Sequence, residues 1–295
     1  IRNRADYFER VNTFLMKTLF FLLLILCDVS SSLYAQSVRY PLAQPYTGLS
    51  AYSSVQHDPL SFTGNQAALA QLTQAGLGIY GERRFMLKEN SSYTMGIAVP
   101  TRLGNAGLVL QYAGFAHFNE SRVGLAYARR LGSLLDLGIQ FSYYGYRVPV
   151  YGGASTVTVE AGILLHPIDK WNLGVHVYNP VGGRLGKSTS PLLKHEKLAS
   201  AYKIGLGFDA SEQFFISAEI VKEEDKPVNA IAGFQYRFAQ QFFLRAGFVS
   251  ETTLLYAGAG ISWKLFRLDV SASYHPQLGF SPGILLMAQR KKKQA

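Results

Sequence analysis

Apolar and polar positions alternate along most of this chain. Leu135, Leu137, Ile139, Phe141 and Tyr143 are separated by Asp136, Gly138, Gln140, Ser142 and Tyr144. A period of two is the mark of a β-strand with unlike faces. The same rhythm recurs from residue 75 to residue 290, in segments long enough to cross a bilayer as tilted strands of about 9–11 residues. It predicts fourteen strands, at 75–85, 92–100, 106–117, 121–130, 135–148, 154–165, 170–179, 199–208, 213–222, 228–238, 241–249, 253–263, 265–274 and 279–289. An even count suits a closed antiparallel barrel with both ends of the chain on one side. The expected fold is therefore all-β: a transmembrane antiparallel barrel with one face in lipid and one in a polar lumen. A soluble β-sandwich would show a similar alternation and is the competing architecture.

The connections between strands also alternate. Arg102-Leu103-Gly104, Leu131-Gly132-Ser133, Pro167-Ile168-Asp169, Ala210-Ser211-Glu212 and Ala239-Gln240 are tight and suit periplasmic turns. The others, up to the stretch 180–198, are expected to face outward and to be longer or more variable. Tyr93, Tyr112, Tyr127, Trp171, Tyr236, Trp263 and Tyr274 fall near strand ends, as interfacial aromatic girdles do.

Two segments break the rhythm. Met16-Lys17, an apolar run over 19–27 and the small residues up to Ala35 have the layout of a secretory signal, so residues 1–35 are expected to be an upstream extension plus a removed signal peptide. Cys27, the single cysteine, lies inside it, which leaves the mature chain without a thiol, a disulfide or a cysteine metal site. Residues 36–74 carry Pro41, Pro45 and Pro59 and lack strict alternation. They are expected to form a plug or hatch, with one or two helical turns after Asn65 as N-cap. The barrel is assigned to 75–290 and a basic periplasmic tail to 291–295.

Strand parity also assigns the inward face. It places the charges Glu82, Arg122, Asp136, Glu160, Lys203, Glu219, Arg245, Arg267 and Asp269 in the lumen, among many glycines and alanines. A charge facing lipid near the midplane costs about 2–4 kcal/mol, which argues for the inside. Because both signs are mixed, the expectation is a network that fills and stiffens the barrel rather than a ring selective for one charge. The small residues leave room for the hatch, where Asn65 and Gln66 would bond strand carbonyls, and an arginine is expected to be better tolerated at Gln140 than at Ile139. The net charge of +10 is spread out, and no basic stripe interleaved with aromatics points to nucleic acid. The six histidines are scattered, no Gly-x-Ser-x-Gly elbow occurs, and no cofactor or enzymatic activity is expected.

The stretch Phe62-Thr63-Gly64-Asn65-Gln66-Ala67-Ala68-Leu69-Ala70 is similar to the Asn-Pro-Ala-type hatch motif of the FadL/PorV class of outer-membrane proteins, with Gln66 where proline is usual. The signal layout, hatch and fourteen strands resemble that class too, and the junction Tyr34-Ala35-Gln36 is similar to signals common in Bacteroidota. The resemblance implies a Gram-negative outer-membrane location, lipid as the surrounding partner, and Asn65, Gln66 and Ala67 as the hatch motif. It also implies two alternative functions. PorV-type members partner the type IX secretion machinery. FadL-type members pass hydrophobic compounds through the hatch and a lateral wall opening. The short, polar outer loops lean toward the PorV-like accessory role, with FadL-like transport as the alternative.

Overall fold

The computed structural model describes residues 45–149, 152–183, 198–224, 226–239 and 241–290. The signal-like segment, the start of the expected hatch, most of the 180–198 loop and the basic tail lie outside the described residues.

Fourteen antiparallel strands close into one barrel. They are β1 (Gly76–Arg83), β2 (Ser91–Pro100), β3 (Asn105–Phe115), β4 (Phe118–Leu131), β5 (Leu135–Val148), β6 (Gly152–Ile168), β7 (Trp171–Tyr178), β8 (Ala201–Asp209), β9 (Phe214–Glu223), β10 (Asn229–Phe238), β11 (Phe242–Val249), β12 (Leu254–Trp263), β13 (Phe266–His275) and β14 (Gly279–Gln289). Each pairs with its sequence neighbour, and β1 pairs with β14, Gly76 opposite Gln289, to complete the ring. A sandwich has edges and two sheets; this wall has neither, so the soluble alternative falls. Closure gives every strand a neighbour on both sides, as a sheet crossing lipid needs, although β6 outruns β7, with Glu160 its first residue paired to β7.

The two faces differ as alternation requires. On β5, Ile139, Phe141 and Tyr143 are exposed on the outside, whereas Gln140, Ser142 and Tyr144 are buried inside. The same apolar exterior continues around the wall, for example at Ile204, Ile220 and Val270. An apolar belt this complete, on a closed fourteen-strand wall, is that of a Gram-negative outer-membrane barrel.

The turn asymmetry is weaker than the sequence suggests. The outward β3–β4 connection is only 116–117 and the β13–β14 connection only 276–278, as tight as the periplasmic turns. The β1–β2 connection is the longest that is fully described. It holds Phe85 and Met86 at φ of 55° and 60°, the left-handed region that non-glycine residues rarely occupy. The Phe85 amide donates to Ser281 Oγ at 2.9 Å, which ties this loop to β14. One bulge interrupts the wall between Leu165 and Ile168 in β6, where Pro167 cannot donate to the ladder.

Candidate functional site

Residues 45–75 fill the lumen. The segment is built of short helical turns at Pro45–Gly48, Leu49–Tyr52, Ser61–Thr63 and Gln66–Gln71. Tyr46, Leu49, Tyr52, Leu60, Phe62, Ala67, Leu69 and Leu72 are all buried against the wall.

Many of the inward glycines follow the relief of this plug, while others, such as Gly247 and Gly260, make room for Tyr256 and Asp269 of the wall. A Cβ on Gly78 or Gly96 would stand 2.6 Å from Leu60, and one on Gly258 would stand 2.5 Å from the Tyr46 hydroxyl. At Gly138 a Cβ would come within 2.5 Å of the Ala67 amide. Gly174, Gly205 and Gly207 all give way to Tyr52. The absent side chains are thus a cast of the hatch, and larger ones would expel it.

At the predicted motif, the Asn65 side chain accepts from the Ala67 amide at 3.0 Å and opens the turn Gln66–Gln71. Its Nδ2 donates to the Ile163 and Val175 carbonyls at 3.3 and 3.2 Å. These two residues face each other across β6 and β7. Gln66 differs from expectation: its Nε2 donates to the Glu160 carboxylate at 2.7 Å, not to a strand carbonyl. Ala67 is fully buried between the plug and β5.

Glu160 is the centre of the larger charge cluster. Arg122 pairs with it, Gln140 Nε2 donates to it at 2.9 Å, and His176 Nε2 stands 3.3 Å away. All are buried. Gln140 therefore faces the lumen, as strand parity requires, but is not free space: an arginine there would put a second cation beside Arg122.

A second cluster forms on the opposite wall. Arg245 is fully buried and pairs with Asp58 of the hatch at 2.7 Å; it also donates to the Tyr46 carbonyl at 3.1 Å and to Gln235. Asp269 is gripped by Arg267 through two bonds of 2.7 and 2.6 Å and accepts from the Tyr46 hydroxyl at 3.1 Å. Burial pushes the Asp58 carboxyl up. Arg245 and Arg267, with hydrogen bonds from Arg245 and the Leu60 amide, outweigh that and hold it below the usual carboxylate range.

The remaining predicted charges lie apart from these clusters. Lys203 stands 3.8 Å from Glu219, which accepts from the Tyr52 hydroxyl at 3.0 Å. Glu82 pairs with Arg84 at 3.2 Å and accepts from the Tyr80 hydroxyl at 3.0 Å, near the outer end of β1. Asp136 sits at the periplasmic mouth, held by Arg130 at 2.7 Å and by His166 at 2.9 Å, the latter placed by the β6 bulge.

Sequence reasoning missed several of the residues that hold the hatch. Asp209 accepts from Ser53 Oγ at 2.5 Å, from the Ser54 amide at 2.9 Å and from Asn172 at 2.9 Å. Asp58, Tyr46 and Tyr52 were equally unmarked. Their only sequence signal is the inward glycine opposite each tyrosine. No group of three potential metal ligands occurs among the described residues.

On the outer side of the hatch a small cavity of about 90 Å³ is bounded by Leu49, Tyr52, Lys203, Glu219, Ile231 and Tyr256.

No family model matches the sequence, and no curated protein does either. Solved structures do match. The toluene transporter TodX of Pseudomonas putida superposes with a TM-score of 0.59 at 10% identity, over 86% of this chain and 98% of that one. The toluene transporter TbuX of Ralstonia pickettii gives 0.56 at 10% identity, over 79% and 94%. A FadL homologue from Pseudomonas aeruginosa gives 0.55 at 12% identity, over 83% and 97%. These neighbours are FadL-family outer-membrane barrels, and the fold of this chain, a closed fourteen-strand wall, is FadL-like.

Proposed function

We propose that this protein is a non-enzymatic outer-membrane channel for small hydrophobic compounds, with residues 45–75 as its gate. The observation that carries the reading is the plugged lumen. Inward glycines fitted to the hatch leave little of the lumen at that level to water, which argues against general diffusion of polar solutes. The architecture is that of barrels described as toluene transporters. The β1–β2 loop adds support, since it exposes Met86 and Leu87 beside Phe85 at the outer mouth and offers apolar compounds a first contact. A strained, anchored apolar loop at a mouth is the kind of feature that function retains.

The test is uptake of labelled toluene by cells that make or lack the protein. Faster uptake with the protein, lost on Met86→Asp with Leu87→Asp, supports the channel. Equal uptake in both cells rejects it. A PorV-like role as an accessory of protein secretion draws on one observation, the short β3–β4 and β13–β14 connections, which leave the outer mouth approachable by a protein partner. Under that reading toluene uptake is unchanged, and loss of the protein alters which proteins reach the cell surface.

A further inference from the structure

The periplasmic mouth is not evenly filled. Between the hatch and the ends of β10–β14 lies a cavity of about 720 Å³. Its charges are unbalanced. Asp58 borders it but is spent on Arg245, and Arg267 borders it but is spent on Asp269. Arg237, Lys264 and Arg290 also line it, and among the described residues none of the three has a carboxylate partner. Among the described residues the Arg237 side chain donates only to the Glu212 backbone carbonyl, at 2.9 Å, and Lys264 lies over the Trp263 ring.

Two buried donor atoms at the same place, one of them on Arg237, lack an acceptor among the described residues. Gln56 is 6% exposed, and its Oε1 accepts from Gln235 while its Nε2 has no partner. The Nε of Arg237 is buried and also has none. Buried donors without acceptors each cost about 1–3 kcal/mol, and such groups in a native structure ask for an explanation. Among the described residues, three cations without a carboxylate partner, one of them Arg237 with its buried Nε free, and the Gln56 amide are complementary to a planar oxyanion, which guanidinium binds in a two-pronged fashion. An aromatic wall is close by, because the Arg267 guanidinium lies 3.7 Å over the Phe243 ring.

We propose that this cavity is an oxyanion-binding site for a carboxylate or phosphate group, with Arg237, Lys264 and Gln56 as its principal donors. The proposal does not depend on transport; a barrel that conducts nothing would still bind an anion here.

The experiment measures binding to the full chain in nonionic detergent by calorimetry. Its probes are benzoate, benzyl alcohol and inorganic phosphate. Benzoate is expected to bind more tightly than benzyl alcohol, which has the same ring and no charge. Arg237→Gln with Lys264→Gln is expected to weaken benzoate about tenfold or more and to leave benzyl alcohol unchanged. Phosphate that displaces benzoate identifies a site for free anions. Phosphate that does not, while benzoate binds, identifies one for an anionic group carried on an apolar body. Either result supports the site. Equal affinity for benzoate and benzyl alcohol overturns it, as does unchanged benzoate binding in a variant that keeps its heat-modifiable gel migration. If the variant fails to assemble, the benzoate-to-benzyl-alcohol comparison on the unmodified protein decides alone.

Discussion

Ile139 and Gln140 are neighbours on β5, yet they live under different rules. Ile139 is 39% exposed on the outside of the wall, and Gln140 is fully buried inside it. Outside, the neighbour is lipid, a uniform solvent, and any apolar side chain satisfies it. Inside, the neighbour is one particular plug, and each position must match one particular atom. Gln140 meets Glu160, Gly138 meets the Ala67 amide, and Arg245 meets Asp58. The outer face is a composition; the inner face is a fit.

The largest expected effect breaks the fit. Arg122→Ala leaves Glu160 buried beside only neutral or weakly basic partners, and removing one member of a buried pair costs about 3–5 kcal/mol. Urea titration of the protein in lipid vesicles measures this; a loss well under that range would mean the cluster is wet. Next comes the outer face. Ile139→Arg puts a charge into lipid at about 2–4 kcal/mol, whereas Ile139→Leu is expected to cost under about 1.5 kcal/mol. Gln140→Arg should also destabilise, and assembly yields of the three variants rank the two faces directly.

A smaller effect is expected at the hatch motif. Asn65→Ala removes a cap worth about 0.5–2 kcal/mol and two bonds to the wall. Limited proteolysis of residues near 66–71 should rise while the barrel stays intact. The smallest effect near neutrality concerns pH. The Asp58 carboxyl titrates lower in the folded protein than its unfolded value near about 3.9. Its contribution is therefore fully present above that unfolded value and is lost as pH falls through the folded one. The seal should hold from neutral pH down to mild acid and loosen only in stronger acid. Asp58→Asn should remove that acid step; an unchanged step would assign it elsewhere.

The two faces also differ in how far sequence reveals them. Lipid imposes a period of two on every strand, so β5 and β14 are read with their observed bounds, and β4 begins only three residues before its expected start. The parity that follows places Glu160, Arg245 and Asp269 inside, where they lie. What each inward residue touches is not periodic. The plug has no repeating pattern, and its contacts join residues more than a hundred positions apart, such as Tyr52 with Glu219 and Ser53 with Asp209. Asp58 beside His57 reads as an ordinary polar pair until Arg245 is placed against it. The break in alternation over 36–74 announces a plug, and the inward glycines hint at where it lies rather than which residue fills the space.

Single-channel conductance most directly tests whether residues 45–75 close the lumen. The full chain and a form lacking residues 36–74 are inserted into planar bilayers, with folding of both checked by heat-modifiable migration. The full chain should be silent or nearly so, and the shortened form should show stable open channels, because a lumen lined by glycines and short polar side chains fills with water once Tyr52, Leu60 and Leu69 leave it. Equal conductance in the two forms would contradict the account.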